Sequence, residues 1–421
     1  MNSGTDLFAK CRAFEDAKRV QAAGVYPFFR PIEATVGSAV VTHGRRRVMI
    51  GSNNYLGLTH HPRVLAAAKA AIDHFGTGCT GSRFLNGNLI LHEQLETELA
   101  RFLGKEACLV FSTGFFANQG TLSCLVGRND VIYCDRENHA SIMEGTRLAI
   151  GDTIKFRHND MADLERVLIS TRGKYEGALI VADGVFSMSG DIFNFPKAVE
   201  LAEKYNCRIY VDDAHSLGVL GPKGQGTEFH FDMVGAADIV MGTFSKSFAS
   251  IGGYVAGTAD VIHYVKHKAR SFMFSAAMPP AAAATVLECL KIVQEDTSHL
   301  ENLWKNARKM NQALSRMGYN TLNSRTPIIP LLVGDDYTAF QFAQKLYENG
   351  VFATPVVRPA VPEGCALIRT SYMATHTDED LDFALSTLER LGKEFEIIGN
   401  QGRQQELAVL AQTHFGVQVS A

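Results

Sequence analysis

The 421-residue chain has no C-x-x-C pair. Its eight cysteines (Cys11, Cys79, Cys108, Cys124, Cys134, Cys207, Cys289 and Cys365) stand apart from one another. That spacing predicts neither a metal site nor a disulfide framework and points to a reducing compartment. A basic surplus is also missing: the formal net charge is −3, so nucleic acid is not an expected partner. No stretch reaches the roughly 18 uncharged apolar residues a membrane span needs. Met1-Asn-Ser-Gly-Thr-Asp6 lacks the basic and apolar regions of a signal peptide. A soluble, cytoplasmic protein is expected, with contact at the inner membrane face left open.

Phosphate-loop chemistry of the G-x-x-x-x-G-K-[ST] type is absent as well. Gly221-Pro-Lys-Gly-Gln-Gly226 is glycine-rich but does not lie between a strand and a helix, so it reads as a surface loop. No internal repeat or low-complexity segment is visible. What remains is an ordinary globular composition, 46% hydrophobic and 20% charged, in a length that exceeds one compact core.

Short apolar segments alternate with helical ones from about residue 60 to 260. Cys108–Phe111, Val131–Cys134, Ala178–Ala182, Arg208–Val211 and Ile239–Met241 read as strands. Leu91–Leu103 repeats leucine at helical spacing. This alternation predicts an α/β fold with a mostly parallel sheet flanked by helices. Ligands in such sheets bind beyond the carboxyl ends of the strands, where Ser112-Thr-Gly114, Asp135, Asp183, Asp212 and Thr243 fall. After about 300 the texture changes to that of a smaller α+β domain. The expected division is an N-terminal arm over 1–50, a large domain over 51–300, a small C-terminal domain over 301–400 and a tail over 401–421 to which no role is assigned.

Lys246 stands alone in the apolar, glycine-rich run from Asp238 to Tyr254. Loss of hydration there lowers an amine's pKa and frees its nucleophilic form, which condenses with aldehydes. Asp212, His215 and His139 fall at the ends of neighbouring predicted strands. Pyridoxal 5′-phosphate needs this set: a lysine for its aldehyde, a carboxylate for its pyridine nitrogen, a flat ring to stack and a donor for its phenolate oxygen. Ser112-Thr-Gly-Phe-Phe-Ala-Asn118 follows a strand and precedes a helix, whose first N–H groups could bind a phosphate, with Thr243 and Ser245 adding hydroxyls.

These residues carry a family resemblance. Gly51-Ser-Asn-Asn-Tyr-Leu-Gly-Leu58, Thr80-Gly-Ser-Arg-Phe-Leu-Asn-Gly87, Asn138-His-Ala-Ser-Ile142, Gly184-Val-Phe-Ser-Met-Ser-Gly-Asp191, Val211-Asp-Asp-Ala-His215 and Gly242-Thr-Phe-Ser-Lys-Ser247 resemble the α-oxoamine synthases among fold-type I pyridoxal phosphate transferases. Phe274-Ser-Ala-Ala-Met-Pro-Pro280 and Ile368-Arg-Thr-Ser371 extend the likeness, which runs from about Ile50 to Thr377. The resemblance implies that Lys246 carries the cofactor as a Schiff base and that Asp212 partners the pyridine nitrogen. It implies that His215, helped by Ser187, meets the phenolate oxygen and that His139 stacks on the ring. Gly114, Phe115, Thr243 and Ser245 would hold the cofactor mostly at its phosphate. The family's site lies at a homodimer interface, so Ser275 would reach the phosphate of the other subunit's cofactor. Arg369 would take the amino-acid carboxylate, with Asn53 or Asn54 nearby and Ser82 and Arg83 as further substrate contacts.

Gly78–Gly87 and Gly242–Ser247 resemble most the serine palmitoyltransferase branch. The activity this implies is condensation of L-serine with a long-chain acyl thioester of the palmitoyl-CoA kind to give 3-oxosphinganine. Relatives using glycine or alanine, or taking the acyl group from acyl carrier protein, form the alternative. A plain aminotransferase would release no thiol, and a silent partner subunit would lack the lysine. Val261–Arg270 mixes bases with apolar residues and is expected to be a solvated helix face, although such a face could meet CoA phosphates, an acidic carrier or anionic lipid.

Overall fold

The computed structural model describes residues 6–416. The first five residues of the predicted arm and 417–421 of the predicted tail lie outside the described residues. A seven-stranded sheet runs in the order Ala107–Phe111, Gly253–Gly257, Ile239–Thr243, Arg208–Asp212, Ala178–Asp183, Val131–Asp135 and Asp152–Phe156. Gly253–Gly257 is antiparallel to both its neighbours, and every other pairing in the sheet is parallel.

Alternate residues of these strands feed two separate cores, as the period-2 geometry of a strand requires. Tyr133, Ile180, Ile209, Val211, Val240 and Tyr254 enter one core. Ile132, Leu179, Val181, Tyr210, Met241 and Val255 enter the other. Helices Ile90–Phe102, Met161–Thr171, Phe195–Lys204 and Pro280–Glu295 cover the first face; Gly114–Leu125 and Ala140–Leu148 cover the second. The fold is thus the α/β layering expected, with the carboxyl ends of the strands open.

A third core gathers Val48 and Ile50 with residues between Met310 and Ala411. It backs the antiparallel sheet of Ile328–Gly334, Ala366–Ser371 and Thr354–Val356. Arg45–Met49 pairs in parallel with Val351–Phe352, which ties the N-terminal segment to this part of the molecule. Helix Gln401–Phe415 buries Leu407 and Ala411 in the same core. Helix Ala259–Lys268 turns Ile262 and Val265 inward and leaves its bases outside. Among the described residues no helix is long and apolar enough to cross a membrane.

Candidate active site

The strand ends surround a cavity of about 330 Å³ lined by Thr113, Gly114, Phe115, His139, Ser141, Asp183, Asp212, His215, Thr243, Ser245 and Lys246, among others. Lys246 occupies the turn that joins Ile239–Thr243 to Gly253–Gly257. Phe244 and Phe248, both fully buried, pin that turn from below. The amine forms no hydrogen bond or ion pair among the described residues. Protein atoms crowd it enough that lost hydration lowers its pKa to about 7, although Asp212 and Asp183 pull the other way; Arg369 adds to the lowering.

Asp212 ends its strand beside Asp183, the two being paired across neighbouring strands. Its carboxylate accepts from Asn118 Nδ2 at 2.7 Å and from the Ala214 N–H at 2.9 Å. Asp183 takes the His139 N–H at 3.2 Å, and burial next to Asp212 raises its pKa well above the usual carboxylate range.

Two hydrogen-bond chains hold the imidazoles. Tyr210 donates to Asn118 Oδ1 at 2.7 Å, and Asn118 Nδ2 donates to Ser141 Oγ at 2.8 Å. The Ser141 N–H donates to His139 Nδ1 at 3.2 Å, so that nitrogen is an acceptor; Ser141 Oγ therefore donates to it at 2.7 Å, and the ring proton is on Nε2. His139 also caps helix Ala140–Leu148 by accepting the Ser141 N–H, and its ring is exposed to the cavity. Partial loss of hydration lowers its pKa against the pull of Asp212. In the second chain Arg369 Nη2 donates to the Tyr55 hydroxyl at 3.4 Å, and that hydroxyl lies 2.8 Å from His215 Nδ1 and 3.5 Å from Asn53 Oδ1. His215 is buried, and its lowered pKa, set by burial and then by Lys246 and Arg369, keeps it neutral.

Arg369 is buried on strand Ala366–Ser371 and has no carboxylate partner among the described residues. Its Nε donates to the Ser187 carbonyl at 2.6 Å. It is the backbone of Ser187, not the hydroxyl, that is engaged. At the other end of the cavity Thr113 caps helix Gly114–Leu125 by accepting the Phe116 N–H at 3.1 Å. The Gly114 N–H opens that helix, and a Cβ on Gly114 would meet Thr243 at 2.8 Å. Gly253 meets Gly114 backbone to backbone, so the helix start is pressed against the sheet.

The remaining predicted residues are placed differently. Asn53 and Asn54 lie half-buried next to Tyr55, and Asn54 Nδ2 donates to Thr59 at 2.9 Å. Ser275 is half-buried and outside the cavity lining. Ser82 is buried, and its Oγ has no partner among the described residues. Arg83 is outside the cavity lining of the single chain, and its guanidinium is engaged within the chain. It pairs with both Glu96 oxygens at 2.8 and 2.9 Å and also donates to Asn88. Tyr55, Asn118 and Ser141 are the site residues that strand-end reading does not single out. Tyr55 lies within the quoted Gly51–Leu58 segment, where an aromatic reads as core.

The set fits pyridoxal 5′-phosphate. A partly dehydrated amine without a partner among the described residues, a carboxylate, two imidazoles and a helix N-terminus share one cavity. A class I and II aminotransferase family model matches residues 46–388. The chain belongs to that family of fold-type I enzymes, and its cofactor is pyridoxal phosphate. Among its relatives, a serine palmitoyltransferase of Bacteriovorax stolpii is 53% identical over 94% of each chain. An 8-amino-7-oxononanoate synthase of Treponema denticola is 44% identical over 90% of this chain and 96% of its own. A solved serine palmitoyltransferase from S. paucimobilis, with a bound PLP-myriocin aldimine, superposes with a TM-score of 0.90 at 32% identity, over 94% of this chain and all of that one. Within the wider family, then, the chain is an α-oxoamine synthase, a PLP-dependent acyltransferase.

Proposed function

We propose that the protein condenses L-serine with a long-chain acyl thioester of the palmitoyl-CoA kind, giving 3-oxosphinganine, free CoA and CO2, the entry step of sphingolipid synthesis. The observation that carries this reading is the pairing of two unfilled groups in one site: the unpartnered Lys246 amine and the buried Arg369 without an acid. The relatives named for serine palmitoyl transfer support the choice of substrates.

Bound here, the cofactor supplies an electron sink for the charge that develops at the amino-acid Cα. Lys246 would carry its aldehyde, Asp212 would keep its pyridine nitrogen protonated, and His215 would meet its phenolate oxygen. His139 would stack on the ring, while Gly114, Phe115, Thr243 and Ser245 would hold the phosphate at the positive end of helix Gly114–Leu125. Arg369 receives the substrate carboxylate with its planar fork, and Asn53 and Asn54 border that position. Lys246 Nζ is placed to take the Cα proton, and a pKa of about 7 suits a base working near neutrality. The Asn118–Asp212 and Tyr55–His215 bonds hold these groups still.

The working unit is a homodimer in the cytoplasm. Loops 78–87 and 274–279 are joined by the Ala277 N–H to Gly81 carbonyl bond. They leave Phe84, Leu85 and Phe274 at 50%, 78% and 78% exposure, an apolar patch that a second subunit would cover. Ser275 on this patch would then reach the neighbouring site.

A second reading is favoured by the oxononanoate synthase relatives: the same chemistry with glycine or alanine, or with an acyl carrier protein as donor. A panel of amino acids titrated into the holoenzyme and followed by visible absorbance decides between them. Serine should give the tightest response; tighter binding of glycine or alanine would shift the assignment to the second reading.

A further inference from the structure

His158 stands behind the site, and the mechanism above does not use it. Its Nδ1 lies 3.0 Å from Asp135 Oδ1 and its Nε2 lies 3.3 and 3.2 Å from Asp191 Oδ1 and Oδ2. Carboxylates at both ring nitrogens require both to donate, so the ring is an imidazolium. The edge of the Phe186 ring closes over it at 4.4 Å between centroids. Burial works against the charge, yet the two carboxylates raise the His158 pKa to about 10. The other titratable group facing this pair is Glu137, whose own pKa is raised by burial while the His158 charge opposes the rise.

Each carboxylate anchors a different part of the site. Asp135 also accepts the N–H groups of Glu137 at 2.8 Å and Asn159 at 2.7 Å, which shapes the turn leading into His139. Asp191 closes the loop 186–191: the Phe186 N–H donates to its carbonyl at 3.0 Å, and Ser189 Oγ donates to its side chain. Asn159, with φ at +48°, ties Asp191 and the Ile192 carbonyl to the same turn through bonds of 2.9 Å. Inside that loop lies Ser187, whose carbonyl takes Arg369 Nε.

We propose that His158, clasped as a cation between Asp135 and Asp191, is a positioning residue for amino-acid binding: it fixes the loop whose Ser187 carbonyl aims the Arg369 guanidinium. The inference rests on the reading of Arg369 as the receptor of the substrate carboxylate. In His158→Gln two buried carboxylates face a neutral amide, the loop loses its cationic tie, and the Ser187 carbonyl moves with it. In the double variant His158→Gln with Asp191→Asn one of those charges is gone, and amide-to-amide bonding restores the tie.

The test uses the holoenzymes of wild type, both of these variants and Arg369→Lys. It reads the KM for the amino acid, the KM for the acyl-CoA, kcat and the visible absorbance of the bound cofactor. Because small misplacements of a positioning group are costly, His158→Gln should raise the amino-acid KM about tenfold or more. The acyl-CoA KM and cofactor content should stay as in wild type, and the double variant should recover most of the loss. Equal damage to both KM values, loss of cofactor, or no change in the amino-acid KM would overturn the clasp. Arg369→Lys separates the two failures. If it leaves the amino-acid KM unchanged, the carboxylate assignment itself falls; if it raises that KM while His158→Gln does not, only the clasp falls.

Discussion

Lys246 and Arg369 are each placed where a group of their type is costly to keep alone. The ammonium loses hydration and stays unpaired, and the guanidinium is buried without an acid. Both costs vanish when an aldehyde and a carboxylate arrive, which is the arrangement of a site built around its ligands. Lys246→Ala should remove the absorbance of the lysine-bound cofactor and, with the base gone, lower turnover by at least about a hundredfold; a spectrum and turnover like wild type would refute its role. Tyr55→Phe deletes the hydroxyl that is hydrogen-bonded to His215 Nδ1 and accepts from Arg369. A buried imidazole nitrogen is left unsatisfied, so denaturant unfolding should show a loss of about 1–3 kcal/mol. Lys246, Asp212 and His215 were legible in the sequence because each follows an apolar strand, and strand ends are where such sheets bind ligands. Tyr55 and Asn118 were not, because their roles arise from partners far away along the chain: His215 and Asp212. Arg83, in an equally telling motif, has its charge paired with Glu96 within the chain, a partner its motif does not announce.

The helix start at Gly114 lies close enough to the sheet that a side chain there has no room. Gly114→Ala would bring a Cβ within 2.8 Å of Thr243 and 3.1 Å of Met241 Cε. Overpacking of this kind costs about 1–3 kcal/mol, and the N–H groups at the helix start shift with it. Equilibrium dialysis of the variant should show weaker retention of pyridoxal phosphate, whereas unchanged retention would remove the helix start from the phosphate site. Helix Ile90–Phe102 and the parallel strands matched their sequence patterns because buried strands are continuous apolar runs and packed helices repeat at 3.6. Asp152–Phe156 was not legible: it is the sheet's edge strand and only Phe156 is fully covered. Gly253–Gly257 begins and ends in glycine, a poor strand signal, and glycine is required there because the helix start touches its backbone. The tail helix Gln401–Phe415 has only a weak apolar face in sequence; buried Leu407 and Ala411, partly buried Leu410 and Phe415, and polar ties such as Arg403 to the Val333 carbonyl hold it.

Across the whole molecule two buried cations oppose each other in their dependence on pH. Lys246 folds with a pKa of about 7 against an ordinary 10.5, so between those values the unfolded chain holds a proton the folded one lacks, and stability from this group rises with pH. His158 folds with a pKa of about 10 against 6.5. Its stabilisation is complete below about 6.5 and fades as pH climbs to about 10. Thermal unfolding of cofactor-free protein between pH 7 and 10 should therefore show partial cancellation in the wild type. Relative to it, Lys246→Ala should lose stability as pH rises and His158→Gln should gain it; identical slopes for all three would contradict both placements. The catalytic claim is tested most directly by free-thiol release from palmitoyl-CoA with the holoenzyme, measured with and without L-serine. The account predicts release that requires the amino acid, is fastest with serine and is matched by formation of 3-oxosphinganine. Thiol release that ignores the amino acid, or conversion of serine to a keto acid without thiol release, would contradict it.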